Sequence, residues 1–329
     1  MRFGGGTFVV KRSSRGYAQD PTKFLNFSRF SDAGSENVVL VEAAFEQASG
    51  WEQFGLSEQE LSRIKQKKVI RLEFEEPNKF FLGDNQNLYD GDFYKVFTLC
   101  PFTADYLNKQ QGIERRVPIF FPFNERYVPA KQKKIFDVIY TGHIVAPPVL
   151  RDIKTIGEFN YRFASNSAHP LVTNKGVSYE EKMDLIAQTR ITLVHNLLYP
   201  RFYHLLNIWR YPQWRENKAF KQLPGLLSVA KFFINRSEMV VPQLKSRVFE
   251  AAFARSLILC KKDPFNVIEN FFEPEKEFVY YEEGQLKTTL DSILNSYSKY
   301  EGVTERAFER AQKEYTTTAF FENYIRDLK

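Results

Sequence analysis

Three short stretches of this chain carry side chains suited to handling an anion. They are Thr141-Gly142-His143, His195-Asn196, and Ser246-Arg247 with Glu250 three residues further on. A glycine lets backbone approach a phosphate closely, and a histidine beside it can donate to the same group. A serine capping a helix at 246 would turn the amides of Arg247 and Val248 toward an anion. Arg247 and Glu250 share a helix face at that spacing. A cation and a carboxylate so placed could hold a diphosphate and a ribose diol. Spacing alone equally describes, and favours, an intrahelical surface pair worth only tenths of a kcal/mol.

Other chemistries find less support. Asp90-Gly91-Asp92 is an Asp-x-Asp pair of the kind that holds a divalent ion, but Asp-Gly is also a common turn, and the turn is the expectation. His143, His169, His195 and His204 lack zinc-ligand spacing and have no cysteine beside them. No Gly-x-Ser-x-Gly elbow and no Gly-x-Gly-x-x-Gly fingerprint is present, which argues against an α/β-hydrolase and a nicotinamide-binding domain. Gly4-Gly5-Gly6 is not closed by the Lys-Ser/Thr of a phosphate loop.

The elements that must position these residues follow an alternating rhythm. Val38–Val41 reads as a buried strand, and Ser57–Lys65 as a helix with Ser57 and Glu60 in a capping box. Lys68–Phe74 is a strand running into Glu75-Glu76, and Lys95–Leu99 is another. A helix near Thr103–Gln110 stops at Gly112, and Val117–Phe121 closes the series. A proline- and lysine-rich linker follows (Val128–Lys134), and the pattern restarts. Strands are expected at Phe136–Tyr140, Tyr161–Phe163, Arg190–Val194, Leu257–Cys260 and Glu277–Tyr281. Helices are expected from Ser178, with Glu181 completing its cap, over Ser246–Ala254, and as one or two terminal helices over Thr304–Leu328. Strands alternating with helices in two successive groups imply an α/β protein with two parallel-sheet domains. Leu197–Met239 breaks the rhythm. It holds Trp209, Trp214, Tyr199, Tyr203 and Tyr211 and is too long for an ordinary loop.

Composition narrows the class. Of 329 residues 43% are hydrophobic, enough for a large core, and two cysteines, Cys100 and Cys260, are too few for a disulfide framework. No apolar run reaches the roughly 18 residues of a membrane span, and the first residues lack the apolar stretch of a signal peptide. A cytoplasmic protein is expected. The net charge of +6 suits an anionic ligand or weak contact with the inner membrane face, whereas its dispersal along the chain argues against nucleic acid.

The stretch from Pro242 to Cys260, with its Arg-x-Phe-Glu-Ala helix and the short strand after it, resembles the donor-site motif of GT-B glycosyltransferases of the "group 1" family. The Phe136–Tyr140 strand with Thr-Gly-His, the helix-strand unit Tyr179–Asn196 and the tail Ala311–Tyr324 are also similar to that family. The resemblance covers about residues 95–326. It implies two Rossmann-like domains facing across a cleft: an acceptor-side domain over residues 1–130, and a nucleotide-sugar domain over 131–310 with an aromatic insertion at 197–240. A terminal helix over 311–329 would cross back to the first domain. It implies metal-independent transfer of a sugar from a UDP- or GDP-linked donor to a glycan or lipid-linked acceptor hydroxyl, with no cofactor. Glu250 matches the glutamate that binds the donor ribose. Gly142 and His143 lie where the diphosphate loop sits, Ser246 and Arg247 at the helix start, and His195 and Asn196 join the same donor-site set. An inverting reaction also needs a base to deprotonate the acceptor, and Glu76 is the candidate, with Glu75 next. Two alternatives stand beside this reading: a catalytically degenerate protein that binds a nucleotide sugar or glycan, and a transferase of the other large fold of such enzymes, GT-A, in which Asp90 and Asp92 would hold a metal. Two departures stand out. Arg255 occupies a position where the family usually has glycine, and the first glutamate of the retaining enzymes' pair would fall near Met239–Pro242, with only Glu238 close.

Overall fold

The computed structural model describes residues 7–11, 25–27, 38–42, 57–73, 91, 93–199 and 240–328. The chain divides into two compact units. The first comprises Met1–Asn124, Pro200–Leu223 and Thr316–Lys329, and the second Glu125–Tyr199 and Pro224–Tyr315.

The first unit holds a six-stranded sheet of β1 (Thr7–Lys11), β2 (Leu25–Phe27), β3 (Val38–Glu42), β4 (Lys68–Glu73), β5 (Lys95–Thr98) and β6 (Arg116–Pro118). The strand order is β2-β1-β3-β4-β5-β6, and every pair is parallel. Val39, Leu40, Ile70, Val96 and Phe97 are buried, as continuous apolar runs in a sheet covered on both faces must be. Helix α1 (Glu58–Lys65) begins with the expected reciprocal cap of Ser57 and Glu60. Helix α2 (Pro101–Gln111) starts two residues earlier than expected, because Pro101 at its first turn is preset for helix, and it ends on Gly112 at φ +66°.

In the second unit the sheet order is β13-β12-β9-β7-β8, again all parallel, from β7 (Phe136–Thr141), β8 (Tyr161–Ala164), β9 (Thr189–Val194), β12 (Leu257–Lys261) and β13 (Val279–Tyr281). The short strands β10 (Leu197–Leu198) and β11 (Val241–Pro242) pair antiparallel beside it. Its helices are α3 (Pro147–Ile156), α4 (Tyr179–Ala187), α5 (Arg247–Phe253), α6 (Leu286–Asn295) and α7 (Glu301–Glu314). Val149, Ile153 and Ile156 of α3 and Leu286, Leu290 and Ile293 of α6 bury one stripe each in the core with Val138, Ile191 and Leu259. Cys100 and Cys260 are free and buried.

The last segment belongs to the first unit. Thr316 caps α8 (Thr317–Phe320) by accepting from the Ala319 amide at 3.0 Å. The Phe320 ring then packs 5.9 Å from Phe97 and 6.1 Å from Phe120, and Tyr324 adds contacts at 5.6 and 5.9 Å. Of the one or two helices expected over this region, the structure has two, broken at Tyr315, the second continued by a π-helical turn, Phe321–Ile325. Two helices, α3 and α6, were not expected from the sequence. Glu76, the Asp90 and Asp92 pair, Gly4-Gly5-Gly6, Glu238 and most of the aromatic segment lie outside the described residues.

Candidate functional site

Strand β7 delivers its chain to the site buried from Val138 to Thr141 and then turns at Gly142. The Gly142 amide donates to the Ala164 carbonyl at 3.1 Å, carrying the β7–β8 ladder one residue beyond the strand. There the backbone adopts φ +123°, a conformation that favours glycine. A Cβ at this position would also fall onto the Arg247 guanidinium, well inside contact distance. The dihedral requires glycine, and any Cβ there would push the Arg247 guanidinium out of its present place.

Arg247 and Glu250 stand on one face of α5, as their spacing predicts, but they do not pair with each other. The Arg247 guanidinium lies 4.7 Å above the Tyr140 ring and meets no carboxylate among the described residues. Glu250 is nearly buried, at 3% exposure, and accepts from Lys182 Nζ at 2.8 Å and from the Tyr179 hydroxyl at 3.3 Å, both on Oε1. Both donors come from α4, whose capping box at Ser178 and Glu181 fixes the first turn that carries them. Burial, and then the adjacent Glu250 carboxylate, push the Tyr179 phenol well above its ordinary range, so it remains a donor.

These groups surround a cleft of about 230 Å³ lined by Gly142, His143, Lys182, Ser246, Arg247 and Glu250, with Thr141, Ala164, Ser165, Asn166 and Val177 completing the wall. It opens at the carboxyl ends of β7 and β8, where parallel sheets bind ligands. His143 is held by Ser167, with Nδ1 3.2 Å from Oγ. Ser246 precedes α5 as expected, but with helical dihedrals and no side-chain cap. The Val248 amide donates to the Lys245 carbonyl at 3.2 Å, so the expectation that it faces an anion is corrected. A tight turn entering the helix has already used that donor.

His195 and Asn196, expected at the same site, sit behind the cleft wall and do not line it. Asn196 anchors the loop leading into α5: its carbonyl accepts from the Gln243 amide at 2.9 Å and its Oδ1 from the Lys245 amide at 3.1 Å. His195 belongs to a buried polar cluster, its Nε2 2.7 Å from the Tyr281 hydroxyl and 3.1 Å from Asp152 Oδ2. The Tyr281 hydroxyl at 3.0 Å and Lys261 Nζ at 3.3 Å also donate to that oxygen. Burial lowers His195 below the ordinary imidazole range against the pull of Asp152. Burial would raise Asp152, but its contacts to His195, Lys261 and Tyr281 prevail and hold it low.

The two departures read from the sequence have local explanations. Arg255 has φ +50°, so the left-handed turn that ends α5 persists without glycine. Its guanidinium lies 3.3 Å from Glu305 Oε1 and stacks 3.2 Å from the Phe308 ring centroid. At the other, Val241 and Pro242 are buried in the β10–β11 pair. Among the described residues no group of three or more His, Cys, Asp or Glu could hold a metal ion, and no helix is long and apolar enough to cross a membrane.

Lys182 and Tyr179 are the site residues that sequence reasoning missed. The Ser178 cap gave their helix, but nothing local pairs them with a residue 68 and 71 positions away.

Two Rossmann-like units of parallel strands and helices, with a glycine turn and an Arg/Glu helix at the strand ends of the second, define a GT-B fold. Solved structures have the same architecture. HepE from Anabaena, in complex with UDP and glucose, is matched over 98% of this chain and 99% of its own, with a TM-score of 0.55 at 8% identity. A glycosyltransferase from Rickettsia africae is matched over 89% and 76%, with a TM-score of 0.50 at 11% identity. A TarM variant from S. aureus, in complex with Fondaparinux, alpha-GlcNAc-glycerol and UDP, is matched over 89% and 55%, at 0.53 and 9% identity. The chain spans little more than half the length of several such structures, 54% to 56% of each. In sequence, residues 201–326 match the family described as glycosyl transferase-like. No curated protein matches the chain in sequence.

Proposed function

We propose that this chain is a glycosyltransferase that takes its sugar from a nucleoside diphosphate donor bound in the cleft of the second unit. The observation that carries this reading is the convergence of Arg247, Glu250 and the Gly142 turn on one cleft at the strand ends. Arg247 supplies a fixed cation for the diphosphate, and His143 and the Gly142 backbone approach the same group. Glu250 accepts from the donor ribose. Stabilising the departing diphosphate is the main electrostatic demand of the reaction, and a positioned guanidinium meets it without a metal. His195 and Asn196 serve by holding the α5 loop and the sheet ends. HepE and TarM are described with UDP, which supports uridine over guanosine as the base.

The acceptor, a glycan or lipid-linked hydroxyl, falls to the first unit, and Glu76 would be the base if the transfer inverts. The protein works in the cytoplasm, and its net charge of +6 supplies weak contact with an anionic membrane surface.

The test is a thermal-shift and hydrolysis screen against UDP- and GDP-sugars, with Glu250→Ala and Arg247→Ala beside the wild type. One nucleotide should raise the wild-type Tm and be slowly hydrolysed, and both effects should vanish in the variants. Stabilisation without hydrolysis would leave a binding protein. If variants and wild type respond alike, the site assignment fails.

A further inference from the structure

Lys182 stands beside Glu250 in a way that the diphosphate and sugar chemistry above does not use. Its Nζ donates one bond to Glu250 Oε1 at 2.8 Å while lying 4.3 Å from the Tyr179 ring centroid. Tyr179 donates to the same oxygen. Both protein donors are therefore spent on Oε1, and Oε2 accepts from no described residue. Lys182 and Glu250 both line the cleft, and Lys182 keeps 22% of its side chain exposed. An ammonium has three N–H donors, and one of these is committed. The cleft wall thus carries a charged acceptor with a vacant oxygen and, within hydrogen-bond distance of it, a charged donor with N–H groups to spare.

That arrangement complements a hydroxyl, which must donate and accept at once. A vicinal diol satisfies it best, because one hydroxyl gives its proton to Glu250 while its neighbour accepts from Lys182. A phosphate could use only the lysine, and the adjacent carboxylate would repel it. We propose that Lys182 is a specificity-determining residue that, together with Glu250, selects a ribose over a deoxyribose in the nucleotide. This rests on the donor-site reading above. It goes further in making recognition of the sugar ring a two-residue device, with Tyr179 holding Glu250 in place.

The experiment measures binding of UDP and GDP, each against its 2′-deoxy form, by calorimetry on the wild type, Lys182→Met and Lys182→Arg, after thermal melts establish that each is folded. A charge-assisted hydrogen bond supports at least about tenfold discrimination. The wild type should favour the ribonucleotide by that factor. Lys182→Met should lower the ratio with little change for the deoxynucleotide, and Lys182→Arg should restore part of the preference. An equal loss for both nucleotides in Lys182→Met would place the lysine on the diphosphate and overturn the proposal. An unchanged ratio would overturn it too. If neither nucleotide binds the wild type, the donor-site reading itself falls and this proposal with it.

Discussion

Replacing Gly142 by alanine tests the geometry on which the cleft depends. Two penalties follow from the structure. An L-residue at φ +123° costs about 1–3 kcal/mol in backbone strain. The new Cβ also displaces the Arg247 guanidinium from its place against Gly142 and over Tyr140, forfeiting about 0.5–1 kcal/mol of cation–π attraction. Together they come to about 3 kcal/mol, or a Tm lower by about 6–12 °C for a unit of this size. The two terms separate on an Arg247→Ala background, where the steric conflict is gone and only the dihedral cost remains. Gly142→Ala should therefore be about 1 kcal/mol cheaper there, a coupling readable in a double-mutant cycle by urea unfolding. Under the proposed function it should also weaken UDP binding in the wild type and change nothing further in the Arg247→Ala protein. Equal costs on both backgrounds would mean that Arg247 does not lie against Gly142. A Tm unchanged within a degree would refute the dihedral argument as well.

Three further outcomes are expected. Burial first, and then Arg255 and Lys131, lower the Lys134 ammonium from 10.5 to about 7. Between those values the unfolded chain holds a proton that the folded one lacks, so the penalty is full below pH 7 and stability rises as pH increases toward 10.5. Urea melts at about pH 7 and about pH 9.5 should show wild type gaining on Lys134→Met, and a constant difference would contradict this. Asp152→Asn removes the carboxylate on which His195, Tyr281 and Lys261 converge, and should cost about 2–4 kcal/mol by chemical denaturation, whereas a loss below about 0.5 would mean that the cluster is solvated. Arg255→Ala should be about 1 kcal/mol less stable than Arg255→Gly, since both lose Glu305 and Phe308 but only alanine keeps the left-handed strain; equal stabilities would argue against φ +50°.

Elements announced by local chemistry were legible in the sequence. Ser57 with Glu60 and Ser178 with Glu181 mark helix starts because each pair satisfies end-of-helix amides by itself, and Gly112 marks a stop for the same kind of reason. Helices α3 and α6 follow Ala146 and Gln285, whose side chains cap nothing, so the signals left were the apolar stripe of each and, for α3, Pro147 at its first turn. In the site, Arg247 and Glu250 were singled out by the family resemblance of their helix, since their spacing alone favoured an ordinary surface pair. Their partners Tyr140 and Lys182 were not, because those contacts are set by how strands and helices pack. His195 shows the limit of strand-end reasoning. Its position at the carboxyl end of β9 was correct, yet its ring turns into the layer shared with Tyr281 and Asp152, a choice governed by neighbouring strands.

The packing of Phe320 and Tyr324 on Phe97 and Phe120 has a consequence for the order in which the molecule is made. Those last aromatics leave the ribosome after the whole of Glu125–Tyr315. At about 5–20 residues per second that interval is on the order of 10–40 s. Throughout it the first unit lacks the aromatics that pack on Phe97 and Phe120, and the second unit has every residue it needs once Tyr315 has emerged, before Phe320 and Tyr324 follow. The later-synthesised unit can therefore finish first. The earlier one must wait in a state open to chaperones and to wrong partners, and that side closes only when Phe320 and Tyr324 arrive.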